Sequence, residues 1–440
     1  MFLKELSKGW EVMSKKFNSK SKCFAILLAA TVAIGAYSSV NTFAKQDHNI
    51  YTSTEQLQST TVQNNQRYLE IYFGIDEVPE VISGKFFEEA MHKVSDTTFD
   101  VLSEKETVTY VEAIKLAVKG ANFEELALTY GEEKIEAKKL PKVVTAEDAK
   151  YVACALDTGL IDEMALSHID KVLSKENAIN LIMAVAEANG KARNFLGYTN
   201  EEDIYGRLLK AWNETTLFEN EKLEGIGEQA VMNGVVTGYN LINRHYSANF
   251  IPELTLRYGH STTLHASQLI GLLNSEGIVA KVQLEPKTSI FEYLPEWGDV
   301  PPATPDYRVE VVNENFMLAH SLEYDLVFEF ETVEDKIRFN ELIETYAKKN
   351  DDNPEGEGLL LASWWQPLYV STVEMGEGYK AIYNNVIADG DYTLNPFCIE
   401  KDKEKVLQGL KAIDESVEVN QVKIWCNDAF YRYLSGESHQ

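Results

Sequence analysis

Residues 256–281 read LRYGHSTTLHASQLIGLLNSEGIVAK, and the interpretation of this stretch decides the predicted fold. From Thr262 to Leu273 the apolar residues recur at helical spacing, which predicts a helix. Gly277 is suited to end that helix in a left-handed turn, and the apolar residues 278–280 then begin a strand-like pattern. The stretch therefore marks a boundary between a helical part and a part rich in strands.

The segments on the two sides of this boundary define the predicted architecture. Helical spacing runs from about Tyr68 to the boundary, and strand-like patterns follow it. The strand-like runs are IVAKVQL, DYRVEVV, YDLVFEF, LLLASWW, KAIYNNVI and QVKIWC, with helical patterns at TVEDKIRFNELIETYAKK and DKEKVLQGLKAI. We therefore expect a multidomain protein with an α-helical repeat domain over residues 67–277, followed by an α+β domain of unassigned role over residues 278–440.

An internal repeat is predicted within the helical part. Residues 107–122 and 172–190 each place a hydroxyl residue before a helical pattern that ends in Gly or Asn, as N-caps and C-caps do. Ser174 is the expected N-cap of the second unit. The segments 151–162 and 227–240 also resemble each other, because both end a short helix with a glycine and two branched apolar residues.

The N-terminal residues predict export. A basic segment precedes the apolar run CFAILLAATVAIGAYSSV and the residues NTFA, which is the pattern of a signal peptide over residues 1–44, cleaved after Ala44. An uncleaved N-terminal anchor is the alternative. No later segment is apolar enough to span a membrane. Residues 45–66 are rich in Gln, Ser, Thr and Asn, and we expect a flexible polar spacer there.

Charge and cysteine content narrow the class of protein. The formal net charge is −28, which excludes binding to nucleic acid through its phosphates. Cys154, Cys398 and Cys426 are too few for a disulfide scaffold in an exported chain. Cys154 is expected in a core, whereas Cys398 and Cys426 share one predicted domain and could pair.

The repeats resemble the S-layer homology domain, in which three helix-loop-helix units attach exported proteins of Gram-positive bacteria to the cell wall. The resemblance covers roughly residues 95–275 and is clearest in the third unit. There Gly234 and Gly238 match the family's paired glycines, and Phe250 and Pro252 match its Phe-x-Pro turn. This resemblance implies a secreted protein at the cell wall or cell surface, with cell-wall polysaccharide as its partner.

In that family the second helix of each unit opens with Thr-Arg-Ala-Glu or a close variant. A cation at a helix N-terminus suits the carboxylates of an acidic polymer. Here the first unit has Tyr110 at the Arg position, the second has Lys175 and the third has Arg257. The resemblance therefore implies Lys175 and Arg257 as contacts of the polymer, with Gly234 and Gly238 shaping the third unit.

A second resemblance, to the papain-like core of transglutaminases and peptidases, competes for the opening stretch. That core has a nucleophilic Cys at a helix start, Ala four residues later, and Gly-Ile-Pro-Ala-Arg where the helix gives way to a strand. Ala266 and residues 277–281 match this framing, but Thr262 occupies the position of the Cys. His320 would be the base and Asp325 its partner. A Thr hydroxyl lacks the reactive thiolate of a Cys. This resemblance therefore implies either an enzyme with Thr262 in place of the nucleophilic Cys or an inactive relative of such an enzyme.

Other patterns predict no metal site and no cofactor. His260 and His265 are five residues apart, whereas zinc pairs on a helix favour a spacing of four. The aromatic stretch SWWQPLY at 363–369 suits either a core or a sugar-stacking surface. The preferred hypothesis is a non-catalytic cell-surface protein, and the transglutaminase-like enzyme is the alternative.

Overall fold

The structure, a computed structural model, describes residues 54–260, 262–348, 360–361, 370–376 and 378–437. The predicted signal peptide, the first residues of the predicted spacer and the aromatic stretch at 363–369 lie outside the described residues. Residues 54–66 of the predicted spacer belong to a helix, Thr54–Phe73. The composition of this segment did not predict a helix there.

The first part of the described chain is helical. Its α-helices are α1 (Thr54–Phe73), α2 (Gly84–Val94), α3 (Tyr110–Gly120), α4 (Glu124–Ala127), α5 (Glu132–Ala137), α6 (Ala146–Asp157) and α7 (Lys175–Ala188), and a 3-10 helix spans Glu163–His168. Helices α2, α3 and α7 pack on one another in a core that buries Phe87, Ile114 and Ile182 completely. Tyr68 of α1 is buried in the same core.

The rest of the chain is organised by one large antiparallel sheet. The strands are β1 (Gly197–Tyr198), β2 (Gly238–Asn243), β3 (Thr255–His260), β4 (Ala280–Glu292), β5 (Tyr307–Asn313), β6 (Phe316–Phe330), β7 (Ala347–Lys348), β8 (Leu360–Leu361), β9 (Val370–Ser371), β10 (Tyr379–Asp389), β11 (Tyr392–Asn395), β12 (Phe397–Ile399) and β13 (Asn420–Asn427). The α-helices are α8 (Ile204–Asn213), α9 (Glu221–Met232), α10 (Thr263–Ser275), α11 (Val333–Tyr346), α12 (Lys403–Ile413) and α13 (Asp428–Ser435). Short 3-10 helices span Arg244–Tyr246, Pro252–Leu254, Pro295–Trp297 and Glu400–Asp402.

The strand pairing curls the sheet. Its order is β1-β4-β2-β11-β10-β13-β9-β3-β6-β5, β12 pairs with β10, and β7 and β8 form a separate parallel pair. Strands β4 and β6 lie far apart in that order, yet they also pair with each other from Ala280↔Phe330 to Glu292↔Leu318. The sheet is therefore closed by hydrogen bonds between β4 and β6, which lie near opposite ends of the strand order.

The two faces of β3, β4 and β6 differ in character because side chains alternate along a strand. One face is apolar, includes Leu284 and Phe328, and packs in a core with residues of α8, α10 and α11. The other face carries Arg257, Glu285 and Glu329, which are held in ion pairs. This charged face contacts Ile251 in the loop between β2 and β3 and Arg193 in the loop between α7 and β1. Arg193 in turn lies over Tyr68 of the helix α1.

The predicted fold class, an α-helical repeat domain followed by an α+β domain, is wrong. Strands β1, β2 and β3 fall within residues 67–277, and the chain is a mixed α/β protein with a dominant antiparallel sheet. The prediction failed at β2 and β3 because GYNLIN and TLRYGH are short, and in β3 the buried polar residues Thr255 and His260 disguise the alternation. The strand-like runs IVAKVQL, DYRVEVV, YDLVFEF, KAIYNNVI and QVKIWC do lie in strands, and helices α11 and α12 fall where predicted.

Candidate functional site

Three packed helices begin side by side in the N-terminal part. Each of α2, α3 and α7 starts at a hydroxyl N-cap: Ser83, Thr109 and Ser174 accept hydrogen bonds from backbone N–H groups of their own first turns. The predicted cap at Ser174 is confirmed. Thr109 and Glu112 form a reciprocal capping box. A hydroxyl cap satisfies one of the four N–H groups that an α-helix leaves unpaired at its start.

The loops that lead into these helices are hydrogen-bonded to one another. The N–H of Val108 donates to the carbonyl of Ile82 at 3.1 Å, and the N–H of Leu173 donates to the carbonyl of Val108 at 2.8 Å. The N–H of Tyr110 donates to the carbonyl of Lys171 at 2.9 Å. Because the loops are joined in this way, the positive ends of the three helix dipoles lie close together.

Lys175 occupies the first helical position of α7 at this surface. Its Nζ lies 3.3 Å from Oε1 of Glu80 and 3.6 Å from Oε1 of Glu77, and its side chain is 28% exposed. The side chains of Glu80 and Glu77 are 84% and 81% exposed. Exposed pairs of this kind contribute little to stability, so either carboxylate can be displaced at small cost.

Arg257 lies elsewhere, in β3, and not at a helix N-terminus. Its Nε lies 3.2 Å from Oε2 of Glu285, and its side chain is 27% exposed. Burial alone would lower the pKa of Arg257, but the Glu285 carboxylate outweighs it and keeps the pKa above its ordinary value. The third predicted unit therefore does not exist as a helical repeat, and Ser83 caps the third helix of the bundle in its place.

Gly234 and Gly238 have structural roles. Gly234 follows the C-cap of α9 with φ of +65°, which is the left-handed turn that the sequence predicted. Gly238 begins β2, where a Cβ would lie 2.8 Å from the carbonyl oxygen of Ile290. Both glycines position β2 in the sheet and lie away from the helix N-termini of α2, α3 and α7.

The residues required by the transglutaminase-like alternative fall into separate clusters. Oγ1 of Thr262 lies 3.4 Å from Nδ1 of His265, whereas His320 lies between Glu310, 3.5 Å from Nε2, and Glu224, 3.7 Å from Nδ1. Asp325 pairs with Lys287 at 2.6 Å and not with His320. The hydroxyl of Tyr324 donates to the carbonyl of Thr262, and Tyr324 is four residues, roughly 13 Å, from His320 along β6. The framing of helix, Gly277 and strand is present, but the structure does not bring a Thr262–His320 pair together.

Burial lowers the pKa of both histidines of the opening stretch. The rings of His260 and His265 lie 4.3 Å apart. Burial lowers the pKa of His260 to about 2, and His265 and Lys287 act in the same direction. Among the residues that the structure describes, no set of three or more His, Cys, Asp or Glu is arranged to hold a metal ion.

The three cysteines take core positions. Cys154, Cys398 and Cys426 are free and buried, so the possible pair of Cys398 and Cys426 is not formed. Burial raises the pKa of Cys426 to about 12, which makes its thiol unreactive. Phe430 of α13 is buried in a small core with Ile382, Ile424 and Cys426.

Sequence reasoning missed the buried ion pairs that join the helical part to the sheet. Glu329 of β6 is 1% exposed and lies 2.8 Å from Nε of Arg193 and 2.8 Å from Nζ of Lys281. Its other oxygen accepts from the N–H of Ile251 at 2.7 Å. The guanidinium of Arg193 also lies over the ring of Tyr68 in α1, 4.2 Å from its centroid. A glutamate in an apolar strand such as YDLVFEF is the one sequence signal that could have indicated a buried ion pair.

Comparison with protein-family models, with curated proteins and with solved structures gives no match to this chain. Within the described part of the chain, no helix combines the length and apolar character needed to cross a membrane. The arrangement of the site therefore rests on the geometry of this structure alone.

Proposed function

We propose that this protein is a non-catalytic, exported cell-surface protein that binds cell-wall polysaccharide through the N-terminal ends of α2, α3 and α7. Lys175 is the principal cationic contact, and Arg257 is not a contact because it is paired within the sheet. The observation that carries the proposal is the hydrogen-bonded cluster of three capped helix N-termini with Lys175 at its edge.

The chemistry of this surface suits an anionic polymer. A helix N-terminus carries about half a positive charge, and an ammonium group at the same place adds to it. The carboxylates of Glu77 and Glu80 already occupy the neighbourhood of Lys175. Carboxylates of an acidic wall polysaccharide would take their place, which makes binding an exchange of one set of carboxylates for another. The resemblance of the segments around α3 and α7 to S-layer homology repeats implies the same ligand class.

Sedimentation with purified cell walls tests the proposal. Wild-type protein should be found in the wall pellet, and Lys175→Ala should be largely lost from it. Lys210→Ala is the matched control, because Lys210 is a 74% exposed lysine in α8, outside the helix cluster. If Lys175→Ala and Lys210→Ala are retained equally in the wall pellet, the helix N-termini do not bind the wall. Cell fractionation tests the location, and protein confined to the cytoplasm would contradict export.

A further inference from the structure

A cleft of about 550 Å³ lies at the other end of the helical bundle. It is lined by residues of the α2–α3 loop, by the last turn of α3 and by α4, among them Thr97, Thr98, Phe99, Asp100, Lys119 and Glu125. Helices α2 and α3 each span 11 residues, so the cleft is about 16 Å from their N-terminal ends. The volume is in the range of small-molecule sites, about 300–1,000 Å³.

The helix ends beside this cleft are held in a fixed arrangement. Nδ2 of Asn189, the C-cap of α7, donates to the carbonyl of Gly120 at 2.9 Å and to that of Val94 at 3.3 Å. Nδ2 of Asn122, which lines the cleft, donates to Oδ1 of Asn189 at 3.1 Å. The C-terminal ends of three helices are thereby joined, and their dipoles direct partial negative charge toward this end of the bundle.

The charged side chains of the cleft add to this negative potential. Nζ of Lys119 lies 3.2 Å from Oε1 of Glu124, and the hydroxyl of Tyr151 donates to the same oxygen at 3.2 Å. The lysine is therefore paired inside the site. Asp100 and Glu125 are both exposed and line the same cleft. A ligand that carries an ammonium group is favoured here, and an anionic ligand is disfavoured.

Phe99 gives the cleft an apolar surface. Its ring packs beside Gly120, where a Cβ would lie 3.5 Å from the ring edge, and the residue is only partly buried. The threonines Thr97 and Thr98 stand next to it and carry hydroxyl groups. An aromatic ring beside hydroxyl, amide and carboxylate groups suits a ligand with one apolar face and many hydroxyls. We propose that the cleft binds a short saccharide bearing a protonated amine, that is, an amino sugar.

This inference does not depend on the function proposed for Lys175, because the two sites lie at opposite ends of the bundle. The probe is the β-1,4-linked disaccharide of glucosamine, titrated into the full protein by calorimetry at low ionic strength. Its di-N-acetylated form is the matched ligand control, because it has the same rings without the ammonium groups. We expect the amino form to bind measurably and the acetylated form to bind at least about fivefold more weakly.

Variants separate the roles of charge and ring. Asp100→Asn with Glu125→Gln changes only exposed side chains and should weaken binding of the amino disaccharide about fivefold. Lys175→Ala should leave that binding unchanged, even if wall sedimentation is lost. Phe99→Ala should abolish binding, and its unfolding midpoint shows whether the fold survives. Equal affinity for both disaccharides, no binding of the amino form, or full affinity in the Asp100→Asn/Glu125→Gln variant would overturn the inference.

Discussion

Replacing Glu329 with glutamine tests the buried ion pairs that join the helical part to the sheet. Glutamine keeps the shape of the side chain and can still accept from the N–H of Ile251, but it removes the negative charge. Arg193, 5% exposed, and Lys281, 20% exposed, then lose the carboxylate that lies 2.8 Å from each of them. Removing one partner of a buried ion pair costs about 3–5 kcal/mol of stability. Because Lys281 is partly exposed, we expect a loss at the lower end of this range, about 3 kcal/mol.

Urea denaturation of the wild type and of Glu329→Gln measures this loss as a change in the free energy of unfolding. Glu276→Gln is the matched control, because Glu276 pairs with Arg338 at 3.2 Å with side chains that are 31% and 47% exposed. That exposed pair should contribute less than about 1 kcal/mol. If the two variants lose equal stability, the buried network does not hold the two parts together and the reasoning is refuted.

Two further predictions concern stability. Burial, assisted by Arg308, lowers the pKa of His320 from 6.5 to about 4, so its stabilising contribution is complete above about pH 6.5 and is lost as the pH falls toward 4. The loss of free energy of unfolding is roughly 3 kcal/mol. As the pH falls through that window, the melting temperature of His320→Gln should therefore decrease less than that of the wild type. Equal decreases in the two proteins would disprove the prediction. Gly227→Ala in α9 should destabilise by about 1–3 kcal/mol, because its Cβ would lie 2.3 Å from the ring of Tyr239. Gly225 lies in the same helix, and a Cβ added there would meet no atom within 4 Å, so Gly225→Ala should be neutral or stabilising. A lower melting temperature for Gly225→Ala than for Gly227→Ala would contradict this packing.

Local signals were sufficient for the parts of the fold that depend on neighbouring residues. The cap at Ser174 and the left-handed glycines that end helices, such as Gly159 and Gly234, follow from the chemistry of single positions. Helix α11 and the long strand β6 have strong periodic patterns, and both were predicted. These elements need no information about distant partners.

The role of Arg257 could not be predicted in this way. Its position after apolar Leu256 fits a helix start as well as a strand, and only the pairing of β6 with both β3 and β4 places it beside Glu285. The same holds for Arg193 and Glu329, which are 136 residues apart in sequence but 2.8 Å apart in space. Long-range ion pairs leave no periodic signal, so a glutamate within an apolar strand could indicate a buried charge but not its partner.

Titration with a soluble acidic wall polysaccharide tests the central proposal most directly. The account predicts opposite effects of two charge changes at one surface: Lys175→Ala weakens binding, whereas Glu77→Gln/Glu80→Gln strengthens it by removing the carboxylates that compete for Lys175. Both effects should shrink as salt is raised, because exposed charges are screened. Affinities that are equal in all three proteins, or a weaker affinity in the double variant, would contradict polymer binding at the helix N-termini.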